Sequence, residues 1–115
     1  GMLRSAAADW SRFPVGTRFC IANEPGIVYE VDDYGSALVG TGTIDIYKPS
    51  RSMMNDWGVR HVDIKVVKWG SYERSMQLMR DRTRWPHVRQ MINSIQARAK
   101  AGGVPVRPMP LTASL

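Results

Sequence analysis

With 115 residues, 43% of them apolar, the chain has the size of one domain built around one modest core. Its single cysteine, Cys20, excludes an internal disulfide, and with only His61 and His87 as imidazoles neither a structural metal site nor a cofactor is expected. The net charge of +6 is uneven: residues 1–66 hold eight acids and seven bases, residues 67–115 two acids and nine bases.

A basic C-terminal part suits a polyanion such as nucleic acid, an anionic wall polymer or lipid headgroups, and equally suits a solvated helix face. Nucleic acid is the least favoured of these, because the arginines at 80, 82, 84, 89 and 98 are not interleaved with an aromatic platform. No run of about eighteen apolar residues occurs, so no transmembrane segment is expected.

Phe13-Pro14-Val15-Gly16-Thr17 reads as a turn that launches a strand over 18–22. Asn23-Glu24-Pro25-Gly26 is a second turn, and a strand over 27–31 completes a hairpin. Asp32 to Ser36 form a polar loop, and Gly40-Thr41-Gly42 permits backbone geometries that residues with a Cβ resist. A further strand is expected over 43–47, then a short helix over about 51–57 capped by Ser50 and stopped by Gly58. Val62, Ile64 and Val66 alternate with His61, Asp63 and Lys65 in an amphipathic strand over 60–68.

The pattern changes after Gly70. Ser71 caps a helix that places Tyr72, Met76 and Met79 together, and Pro86 opens another whose stripe is Val88, Met91, Ile92 and Ile95. Gly102-Gly103 ends it, and residues 104–115, with three prolines, read as an extended tail. The expected organisation is therefore a β domain over 1–70, a helical appendage over 71–101 packed on it, and a tail over 102–115.

Asp45 lies between Ile44 and Ile46, at the centre of a strand pattern, where a charge is expensive unless paired, solvated or catalytic. Asp33 stands twelve residues upstream across a glycine-rich loop that can return both carboxylates to one cleft. Such a pair suits glycosidic-bond cleavage, one group protonating the leaving oxygen. A turn-capping role explains Asp33 equally well. Asp32 competes with Asp33, since strand alternation admits only one of them to the cleft. Tyr34, Tyr47 and Trp10 are candidates for stacking on sugar rings or for the core, and Ser36 and Thr43 for binding a sugar hydroxyl or for local turn bonding.

Ala8-Asp9, Phe13-Pro14-Val15-Gly16-Thr17, Val31-Asp32-Asp33-Tyr34-Gly35-Ser36-Ala37-Leu38, Ile44-Asp45-Ile46-Tyr47, Asn55-Asp56-Trp57-Gly58 and Val62-Asp63-Ile64 together resemble the three-aspartate (3D) domain. The resemblance covers residues 8 to about 68, and its three acids fall on Asp9, Asp33 and Asp45. It implies a mainly β fold with a C-terminal helical appendage, the β part a double-psi β-barrel similar to the catalytic domain of membrane-bound lytic murein transglycosylase A and to stationary-phase wall-remodelling proteins.

The function implied is cleavage of the MurNAc-GlcNAc bond of peptidoglycan with a 1,6-anhydro product, in the cell envelope. A non-catalytic peptidoglycan- or polysaccharide-binding module is the alternative. Asp45 would be the general acid and base, Asp33 would tune it and bind sugar, and Asp9 would support the cleft. Tyr34, Ser36, Thr43 and Tyr47 would touch substrate. Family members carry another strand and a Thr-Ala-Ser/Thr-Gly segment before the position of Ala8. From Gly1 there is no room for them, so the barrel is expected to be N-terminally incomplete, without its first strand. That leaves an unpaired edge that a second copy would cover.

Overall fold

The computed structural model describes residues 2–47 and 61–102; the expected helix over 51–57 and the tail beyond 102 lie outside them. Five strands form one mixed sheet: β1 (Met2–Ala7), β2 (Arg18–Ile21), β3 (Ile27–Asp33), β4 (Asp45–Ile46) and β5 (Ile64–Lys68), in the spatial order β4-β1-β3-β2-β5. Two helices follow, α1 (Tyr72–Met79) and α2 (Pro86–Lys100). The chain is mainly β with C-terminal helices, and among the described residues the sheet is open, with β4 and β5 at its edges. No helix among them is long and apolar enough to cross a membrane.

A strand lies before Ala8, where none was expected. Met2–Ala7 is a strand, and it lies inside the sheet, parallel to β3 on one side and antiparallel to β4 on the other. Its Ser5-Ala6-Ala7 run lacks the β-branched and aromatic residues that announce a strand. Pairing on both sides creates it, and such context outweighs intrinsic propensity.

Alternation along β1 divides the sheet. Ala6 pairs with Val31 and Ile46 on the inner face, where Ala6 and Val31 are buried. Phe19 pairs with Tyr29 on that face and their rings stack at 5.4 Å. The outer face carries the polar partners, among them the cross-strand pair Arg18 and Glu30, joined at 2.8 Å. The inner face shares one apolar core with Met76 and Met79 of α1 and Val88, Met91, Ile92 and Ile95 of α2, the stripe expected from helical spacing.

Helix α1 starts where the sequence signals it: the Ser71 side chain accepts the Arg74 amide at 2.9 Å. Helix α2 starts at Pro86, where a missing N–H costs nothing. The Pro14–Thr17 turn docks on this junction. The Ser71 amide donates to the Val15 carbonyl, the Val15 amide to the buried Ser75 hydroxyl, and the Gly70 amide to Thr17 Oγ1. Gly70 fits because it has no side chain: a Cβ there would collide with the Val15 carbonyl oxygen and stand 2.5 Å from the Thr17 nitrogen.

Gly70→Ala is therefore expected to lower stability by about 2–3 kcal/mol, as overpacking against backbone does, measured by urea unfolding. A second expectation concerns Tyr29, which is fully buried and donates to Glu24 at 2.6 Å. Burial first, and that hydrogen bond second, push its hydroxyl up to about 12. With a folded value above the unfolded one of about 10, the stabilisation is complete below pH 10 and is lost as pH rises through the folded value. The melting temperature should fall more steeply between pH 10 and 12 than in Tyr29→Phe; parallel curves would refute this.

Candidate functional site

The outer face of the sheet opens into a groove of about 220 Å³ lined by Ser5, Ala6, Ala7, Asp32, Asp33, Asp45, Ile46 and Tyr47. Two of its acids are brought together by strand register. Ala7 pairs with Asp33 on β3 and with Asp45 on β4, so both carboxylates belong to the face that Ala7 presents. Two strand spacings put their backbones about 10 Å apart, with only a methyl group between. The two acids line one groove and straddle a strand. Asp45 opens β4 rather than sitting mid-strand, and among the described residues its exposed carboxylate has no hydrogen bond or ion pair.

Asp33 is held more firmly. Its Oδ1 accepts the Tyr34 amide at 2.8 Å, and its carbonyl accepts both the Trp10 indole at 2.8 Å and the Ala8 amide at 3.2 Å. Trp10 is 3% exposed and edge-on to Tyr34 at 4.9 Å, so it belongs to the core and reaches the site only through this bond.

Asp32 also lines the groove. The register slips between Ala6 and Ala7: Ala6 pairs with Val31, whereas Ala7 pairs with Asp33. Asp32 is the extra residue of a β-bulge, and a bulge suspends alternation. Asp32 and Asp33 therefore both reach one groove, and Asp32 Oδ2 accepts the Ser5 hydroxyl at 2.6 Å.

Asp9 is elsewhere, 2% exposed and outside the groove lining. Its Oδ1 accepts the Ser11 amide at 2.9 Å and the Ser11 hydroxyl at 2.7 Å. Its Oδ2 accepts the Gly40 amide at 2.8 Å, with Arg12 Nε at 3.8 Å. Gly40 has φ +85°, a backbone conformation that favours glycine. Asp9 thus ties the segment joining Asp33 to Asp45 onto the turn that follows β1.

Of the expected substrate contacts, Tyr47 lines the groove and is 61% exposed. Tyr34 packs against Trp10 and the His87 ring, and its hydroxyl accepts Arg82 Nη1 at 3.1 Å, which helps hold the Arg82 guanidinium above its usual range. Ser36 and Thr43 are exposed and outside the groove lining; the Thr43 amide donates to Thr41 Oγ1 at 3.1 Å. Ser5, Ala7 and Ile46 are site residues that the sequence reading passed over. The paired position of Ala7 was the available signal, and it becomes visible only once β1 is recognised.

Asp9→Asn leaves one oxygen for Ser11 but turns an NH2 group toward the Gly40 amide. It should cost about 2–3 kcal/mol through a buried donor without an acceptor, and hydrogen exchange at residues 38–42 should accelerate. Unchanged exchange there would refute the tie.

No curated protein and no solved structure matches the chain. A family model described as the 3D domain matches residues 4–68, from within β1 to the end of β5 and across all three aspartates. The chain belongs to the 3D domain family.

Proposed function

We propose that the chain is a peptidoglycan-active, lytic transglycosylase-like domain of the cell envelope, with Asp45 as its proton-transfer group. The observation that carries this reading is the pairing of Ala7 with both Asp33 and Asp45, which turns two family aspartates toward one open groove. Membership of the 3D domain family, whose association is with cell-wall lytic transglycosylase-like function, supports peptidoglycan as the substrate class. The parallel β1–β3 pair within an otherwise antiparallel sheet supports the double-psi β-barrel as the complete architecture.

In this mechanism protonated Asp45 gives its proton to the glycosidic oxygen as the bond to C1 of the muramyl residue breaks. The resulting carboxylate takes the proton of the C6 hydroxyl, whose oxygen closes on C1. One group serves as acid and then base, and no water enters the product. Asp33 and Asp45 stand on strands that β1 separates, so they are not neighbouring-strand partners. Asp33 then acts by field and by hydrogen bonds to sugar hydroxyls, and Tyr47 offers a ring face at the groove edge.

Incubation with purified sacculi should release 1,6-anhydromuropeptides detectable by mass spectrometry. Asp45→Asn should reduce release at least ~100-fold with little change in melting temperature, because Asp45 is exposed and has no hydrogen bond or ion pair among the described residues. Sedimentation with sacculi in the absence of any anhydro product would instead make the domain a binding module.

A further inference from the structure

A second groove, of about 680 Å³, borders the segment between Asp33 and Asp45 at Gly42. Ser11, Arg12, Phe13 and Gly42 form one wall, and Ser94, Ala97 and Arg98 of α2 form the other. Among the described residues no acid lines it, in contrast to the three aspartates of the first groove. We infer that this groove is an anion subsite in which Arg12 and Arg98 receive carboxylate substituents of the glycan held in the acidic groove. This inference rests on the proposed glycan substrate.

Three observations support it. Both guanidiniums are anchored with donors to spare. Arg98 Nη1 donates to the Ser11 carbonyl and its guanidinium lies over the Tyr72 ring at 5.6 Å. Arg12 spans Asp9 Oδ2 and the Gly40 carbonyl, the latter at 3.4 Å, and a Cβ on Gly42 would stand 3.9 Å from its Nη1. A guanidinium has five N–H donors, so each retains a fork suited to a planar carboxylate.

Next, the two positive charges converge on one concave surface. Asp9, behind Arg12, divides its charge among Arg12, Ser11 and Gly40. An anion there would meet both guanidiniums, and Phe13 supplies an apolar surface for the chain that carries it.

Finally, the two grooves share a backbone. Gly42 lines the second and Asp45 the first, three residues along the same segment, at most about 10 Å of extended chain. A polymer lying across this loop meets acids with its sugar hydroxyls on one side and arginines with its acidic side groups on the other. Opposite charges placed so close fix orientation as well as affinity.

The test compares soluble glycan oligomers bearing their acidic peptide stems with the same oligomers after amidase removal of the stems. Binding to the Asp45→Asn protein is measured by calorimetry at two salt concentrations, with and without Arg98→Glu. The stem-bearing oligomer should bind about tenfold tighter, as two partly exposed ion pairs allow, and less so at high salt. Arg98→Glu should abolish that preference and leave affinity for the stripped oligomer unchanged. Ser94→Glu, which adds a carboxylate to the α2 wall one turn before Arg98, should do the same and guards against a folding defect in Arg98→Glu. Equal affinity for both oligomers would overturn the subsite while leaving the glycan reading intact, as would equal loss on both in the variants. Binding of neither oligomer would overturn both.

Discussion

A buried carboxylate organises the site. Taking Asp9 out of water costs several kcal/mol unless its charge is met by donors, and it is met from Ser11 on one oxygen and from Gly40 and Arg12 on the other. Hydrogen bonds to a charged acceptor are worth about 1.5–3 kcal/mol each, so the arrangement is stable only while all its donors remain in place. That requirement fixes the turn after β1 and the glycine loop relative to each other. Asp33 and Asp45 stand at the two ends of the segment so tied, and their alignment on either side of Ala7 follows. The three family aspartates therefore divide into one that builds and two that line the groove.

The sheet keeps its chemistry on one side by using small residues in the middle. Ala6 and Ala8 face the core beneath Trp10 and Val31, where little space remains. Ser5 and Ala7 face the groove, where a larger side chain would fill the gap between acids. The second groove is lined instead by Arg12 and Arg98, so the two grooves differ in charge.

Much of the frame was legible in the sequence. Pro14-Val15-Gly16 and Pro25-Gly26 marked their turns, the 18–31 hairpin formed as read, and Ser71 and Pro86 began the helices. These signals are local: each residue acts within a few positions of itself. β1 was invisible because its strand character comes from partners about 25 and 40 residues away. The burial of Asp9 was hidden for the same reason. A charge reads as surface until its donors, one of them 31 residues distant, are known. Tyr34, aromatic and beside an acid, reads as either sugar platform or core, and only its distant ring partners Trp10 and His87 show where it packs.

The single-residue slip in β3 has a consequence for variation. Strand pairing counts positions, so which of the adjacent aspartates stands abreast of Ala7 is decided by chain length and not by side-chain chemistry. A sequence one residue shorter before Asp33 would keep both β1 and the acidic character of the strand end, yet seat a different carboxylate opposite Asp45 and turn its neighbour toward the core. Insertions and deletions between Val31 and Tyr34 are thus more consequential than substitutions there.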